Sequence, residues 1–157
     1  MRRINVSPTK TTRTFLCAGI FLVVLGAVVS LQGQTPRHGV VTPLASAKLT
    51  SDGAPACLKA ALENGDPNTG ASTFVLEAAP GCEVPAHYHT AEEQLIVVRG
   101  EVLTGMEGMA EQTLGPGGFA MMPGKAMHWF TCKSKKTCLM FVTFDRTYDI
   151  VWAKPRK

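Results

Sequence analysis

The sequence predicts an all-β domain, a sandwich or barrel, and three observations carry that prediction. Past residue 70 the chain alternates short apolar stretches with turns of Gly, Pro or charged residues. No long stretch keeps the 3.6-residue apolar period of an amphipathic helix. Once an N-terminal segment is set aside, about 125 residues remain, enough for one core and too few for two.

Residues 1–30 read as an export signal. Arg2, Arg3, Lys10 and Arg13 form a positive start, and Phe15 to Val29 is an uncharged apolar run. Cleavage after Ser30 or Gly33 would leave a periplasmic or secreted protein. The alternative is an uncleaved membrane anchor, but the run falls short of the roughly 20 residues that a spanning helix needs. With cleavage, no stable membrane span is expected. Residues 31–53, rich in Gly, Pro, Ser, Thr and Ala, read as a linker, and residues 54–157 as the folded domain.

Within that domain, Pro55 to Glu63 is ambiguous, because its Ala and Leu residues favour helix by propensity. The strand candidates are Ser72 to Ala78, Glu93 to Val98, Glu101 to Met106, Glu111 to Leu114, Gly118 to Met122, His128 to Cys132 and Thr137 to Phe144. The stretch around His87 is read as extended as well. No internal repeat appears, so one barrel per chain is expected.

The charge argument changes with the export signal. All four charges of the first thirty residues are basic, so 12 of the 16 Lys and Arg remain, against 12 Asp and Glu. The basicity belongs to the signal. The Lys133, Lys135, Lys136 run reads as a solvated turn, and no patch of cations interleaved with aromatics points to nucleic acid.

Of five cysteines, Cys17 falls in the signal. An even number in an oxidising compartment makes disulfides plausible. Phe130 to Met140 reads as a hairpin with a polar tip at Lys135, which would set Cys132 opposite Cys138 at a Cα separation of about 4.5 Å. Cys57 would then pair with Cys82. Four cysteines allow three connectivities, and the sequence leaves the choice open.

The chemistry is concentrated in the histidines. His87 and His89 are two apart, so on a strand both project to one side, roughly 6.6 Å apart. One cation can bridge that gap. Glu93 follows, and His128 comes in a later strand candidate after the turn at Pro123 and Gly124. Three of the chain's four histidines belong to this set; the other is His38. Glu92, beside Glu93, is the competing carboxylate and otherwise reads as surface charge.

Gly81, His87, His89, Glu93 and Gly100 fit the pattern G(X)5HXH(X)3E(X)6G without a gap, the first motif of the cupins. Gly117, Pro123 and His128 match the second, G(X)5PXGXXH(X)3N, with two departures. Lys125 stands where the motif has glycine, with Gly124 beside it expected to serve instead, and Cys132 replaces the terminal Asn. The chain resembles the small exported bacterial monocupins, which often carry a segment like Gly65, Asp66, Pro67 ahead of the first barrel strands. The resemblance implies a jelly-roll barrel closed around a central cavity, with His87, His89, Glu93 and His128 as metal ligands and a homodimer as a reasonable assembly.

Three imidazoles and a carboxylate suit Fe, Mn, Zn, Ni or Cu as divalent ions and do not choose among them. On an octahedral ion they leave two positions for a small-molecule ligand or for substrate and dioxygen. A tetrahedral zinc would be saturated. Glu93 leans toward the dioxygenase, decarboxylase and isomerase members of the family, away from thiol oxidation, and could act as the catalytic base. Proton transfer would otherwise fall to metal-bound water or Tyr148. By strand parity Phe130 and Cys132 share the face of His128, while Leu95 and Val97 share that of Glu93; Phe130, Leu95 and Val97 are weak pocket candidates, since a core needs such residues anyway. The reading is an exported metal-dependent oxygenase acting on a small organic molecule, with a non-catalytic metal-binding or sensing module as the alternative.

Overall fold

A computed structural model describes residues 39–51 and 55–154. The expected export signal, Cys17, the linker up to His38, and residues 155–157 lie outside the described residues. Ten strands follow in chain order: β1 (Leu58–Gly65), β2 (Ser72–Ala78), β3 (Glu83–Tyr88), β4 (Glu93–Arg99), β5 (Val102–Met106), β6 (Gln112–Leu114), β7 (Phe119–Met122), β8 (His128–Cys132), β9 (Cys138–Phe144) and β10 (Val151–Trp152). A 3-10 turn at Leu44–Ser46 is the one helical piece among the described residues. None of their helices is long and apolar enough to cross a membrane.

The strands form two antiparallel five-stranded sheets, ordered β1-β2-β9-β4-β7 and β10-β3-β8-β5-β6. Their inner faces make one core. Alternation is clean on β4, where Glu93, Leu95 and Val97 are buried between exposed neighbours, and holds on β8, where His128, Phe130 and Cys132 are buried between half-buried ones. Interior residues from both sheets, among them Leu95, Val97, Val102, Cys132, Met140 and Val142, share a single cluster. This is the two-layer all-β architecture expected of a jelly roll, and all seven strand candidates fall within a residue of their observed limits.

The ambiguous stretch from Pro55 resolves as strand. Leu58 to Gly65 pairs along its length with β2, and pairing overrides the helix propensity of its Ala and Leu residues. Packing also begins ahead of residue 54. Thr50 bridges Ala60, and Ala47 and Leu49, inside the stretch read as linker, cover Ala61, Val75 and Leu139 on the outer face of the first sheet.

The hairpin expected around Lys135 does not form. β8 pairs with β3 and β5, and β9 with β2 and β4, so the polar Lys133 to Thr137 segment crosses from one sheet to the other. Cys132 and Cys138 are nevertheless a disulfide pair, with Cα atoms 5.8 Å apart. They face each other through the core instead of across a ladder. Cys57 and Cys82 form the second pair, at 5.5 Å, joining the approach to β1 with the approach to β3. Both pairs staple one sheet to the other, and they are of the kind that persists in an oxidising compartment.

Candidate metal centre

His87 owes its direction to a bulge. Val84 pairs with Phe130 and His87 with His128, so three steps on β3 match two on β8. The extra residue lies at Pro85 and Ala86. A regular strand running on from the buried Val84 would turn His87 outward; the bulge restores it to the inside. Pro85, which has no N–H to lose from a ladder, suits that position. His89 follows the end of β3, Glu93 opens β4, and His128 opens β8 opposite His87. The four side chains therefore come from both sheets and meet at one end of the barrel, all buried.

Their ligating atoms all lie within 4.8 Å of one another. Glu93 Oε2 is 3.1 Å from His89 Nε2 and 3.1 Å from His128 Nε2. The other nitrogen of each ring is committed to a carbonyl, which can only accept. His87 Nδ1 donates to Pro85 O at 2.7 Å, His128 Nδ1 to Ala126 O at 2.9 Å, and His89 Nδ1 to Asp149 O. These bonds fix ring orientation, leaving each Nε2 as the nitrogen open to a cation once any proton it shares with Glu93 is released. Three orientated imidazoles and a buried carboxylate are a donor set that fits a divalent transition metal.

The electrostatics agree with a site built for positive charge. Burial pushes the Glu93 carboxyl up, but hydrogen bonds from His128 and His89 outweigh it and hold the group at about 2. Burial, with the neighbouring imidazoles, lowers His87 to about 4. At His128 burial pulls downward, and the hydrogen bond and charge of Glu93 overcome it, so its value is raised.

Beside the cluster is a cavity of about 160 Å³, lined by His87, His89 and Glu93 and by a mainly apolar wall. Phe130 lies in that wall, with Phe74, Phe144, Tyr148 and Trp152. Leu95 and Val97 do not; both are buried in the closed core, so as pocket residues they are corrected to packing. Cys132 is occupied in its disulfide. Glu92, half-buried, accepts a hydrogen bond from Gln94, whereas Glu93 is the carboxylate inside.

The sequence names Tyr148 as a proton carrier but not the rest of what the C-terminal segment contributes. Trp152, in the two-residue β10, pairs with His87 and packs on its ring at 5.1 Å. Tyr148 packs on His89 at 5.2 Å, its hydroxyl pKa raised by burial and by the charges of Glu93 and Asp149. The Asp149 carboxylate accepts from the Thr90 N–H and hydroxyl, each at 2.6 Å, while Asp145 accepts from the Glu92 N–H at 2.9 Å. Residues 145–149 thus clamp the loop between His89 and Glu93. Two strand residues carry no periodicity; the Thr-to-Asp spacing of 59 residues carries no local signal either.

Lys125 corrects the expectation that Gly124 serves in place of the motif glycine. It takes φ +68° itself, the left-handed conformation for which the motif has glycine, and its N–H donates to His89 O at 2.7 Å. Gly124 serves a different need, since a Cβ there would meet Thr90 O at 2.5 Å.

Residues 74–144 match the family model described as a cupin domain. That stretch is a cupin domain. Among solved structures it is similar to the DMSP lyase DddQ from Ruegeria pomeroyi DSS-3, at 22% identity and TM-score 0.60, over 72% of this chain and 64% of that one. It is likewise similar to the polyketide cyclase RemF from Streptomyces resistomycificus, at 17% identity and TM-score 0.63, over 75% and 89%, and to KdgF from Halomonas sp., at 16% and 0.59, over 69% and 96%. This cupin thus spans less than two thirds of the DMSP lyase, and at these identities the likeness is one of fold. No curated protein matches the sequence.

Proposed function

We propose that this cupin is an exported enzyme that uses a divalent transition metal, held by His87, His89, Glu93 and His128, to transform a small, largely apolar organic molecule, most simply as an oxygenase. The observation that carries the reading is the set of three imidazoles, each anchored through Nδ1 to a carbonyl, facing a buried carboxylate at the side of an aromatic-lined cavity. When bound, the metal supplies Lewis acidity and, for iron, manganese, nickel or copper, access to dioxygen chemistry.

The chain's own residues do the rest. Phe74, Phe130, Phe144 and Trp152 exclude water and select an apolar or aromatic body, and the cavity volume limits it to a compact molecule. Glu93 is the candidate base, positioned to take a proton from a bound hydroxyl, and Tyr148 is the second proton carrier in the wall. A substrate with adjacent oxygens, an enediol or catechol, suits two open metal positions.

Elemental analysis of protein purified without chelators, beside His128→Ala, tests the site: equal metal in both sinks it. Oxygen uptake on adding a catechol or enediol to metal-loaded protein tests the oxygenase. Turnover without oxygen uptake would favour a lyase or cyclase, the activities named for DddQ and RemF. The non-catalytic alternative draws support from Glu93 itself, whose one oxygen already serves two imidazoles. It predicts ligand affinity that is the same with and without oxygen.

A further inference from the structure

A second cavity, of about 240 Å³, opens at the barrel edge where β7 of one sheet faces β5 and β6 of the other. Four of the chain's seven methionines line it: Met106, Met109, Met121 and Met122. Its other polar side chains are Thr104 and Gln112, and it holds no carboxylate, imidazole or ammonium group. We propose that this cleft binds one cuprous ion through the thioethers of Met106, Met109 and Met122.

Three elements bring those residues to the cleft. Met106 closes β5 opposite His128 and Met122 closes β7 opposite Glu93, so both sit at the same end of the barrel with side chains on the inner face. Met109 lies in the turn between β5 and β6, where its N–H bonds Met106 O at 3.0 Å. Met121, the neighbour of Met122, projects from the opposite face of β7 and forms the outer lip. Gap-filling explains Met122, which is buried, but not Met109, which is 65% exposed in a turn between two short strands. Neutral, polarizable thioethers select Cu(I) and give little to zinc, manganese or magnesium, which need nitrogen or oxygen donors. In an exported chain whose Cys57, Cys82, Cys132 and Cys138 are paired, methionine is the soft ligand that stays available.

The test is anaerobic titration of the full-length protein with Cu(I), kept reduced by ascorbate and competed with bicinchoninate. The comparison proteins are Met109→Leu and Met106→Leu/Met109→Leu, near-isosteric changes that leave packing in place. Removing a ligand should cost at least what losing a supporting partner does, about 10–100-fold in affinity, in Met109→Leu. Copper X-ray absorption of the wild type should show sulfur scattering that the double variant lacks. Cu(I) held equally well by wild type and double variant, or nitrogen-only scattering in the wild type, would overturn the proposal. Matching urea-unfolding midpoints of wild type and both variants report that the fold is intact.

Discussion

Single side chains set the strain and the charge of the candidate metal centre, and two predictions belong to them. Lys125 occupies a left-handed conformation that costs an L-residue roughly 1–2 kcal/mol. Its hydrogen bond to His89 O comes from the backbone, so Lys125→Gly keeps that contact and relieves the strain. Against this stands the greater unfolded entropy of glycine, about 0.5–1 kcal/mol. The expected outcome is a gain of up to about 1 kcal/mol in urea unfolding with unchanged metal content. The second prediction concerns pH in the metal-free protein. His87 is held at about 4, below its ordinary 6.5, so the unfolded chain takes up a proton that the native state refuses as pH falls from 6.5. Stability is lost over that window. His128 is raised, so its contribution is present below 6.5 and is lost as pH rises through its native value. Glu93 is depressed to about 2, and its contribution, present above 4.5, is lost only as pH falls toward 2. Denaturant midpoints should therefore peak near pH 6.5, and His87→Asn should flatten the acid side between 6.5 and 4.

At the scale of elements, the two disulfides differ in the loop they close. Cys57–Cys82 spans 25 residues and Cys132–Cys138 spans 6. The chain-entropy account gives about 3.5 kcal/mol for the first and about 2 kcal/mol for the second. Cys57→Ala/Cys82→Ala should lower stability by more than Cys132→Ala/Cys138→Ala, as read from urea unfolding of oxidised samples. The reverse order would mean that the core position of Cys132 and Cys138, both fully buried, outweighs loop closure. These elements also mark how far the sequence could be read. Alternation on β4 and β8 is a local signal set within one strand, and the spacing of His87, His89 and Glu93 is local as well, within seven residues; both were legible because a short window holds them. The bulge at Pro85 and Ala86 was not, since register with β8 is a property of two distant segments. Nor was the sheet change between Cys132 and Cys138: a polar tip between apolar arms reads the same whether the arms pair with each other or with different sheets. β10, too short to alternate, is held in place by β3.

On the scale of the whole molecule, the proposed ligands form a tie between the two layers. His87 and His128 belong to one sheet and Glu93 to the other, with His89 in the connection between them. An ion gripping all four would be bound by the folded barrel alone, since unfolding separates groups up to 41 positions apart in the chain, from His87 to His128. Binding only to the native state stabilises it by about 2.7 kcal/mol at a hundred times the dissociation constant. For a domain of this size, that is a rise of roughly 5–20 °C in Tm. Metal-loaded protein should melt that much higher than chelator-treated protein, and His128→Ala should lose the difference. The increment should also shrink with acid. The ion must displace the proton that Glu93 helps to hold on His128, so uptake releases protons and weakens as pH falls below the raised His128 value. The comparison is made at pH 8 and pH 6. A metal-induced rise in Tm that is the same at both pH values, or that survives in His128→Ala, would place the ion elsewhere than between the sheets.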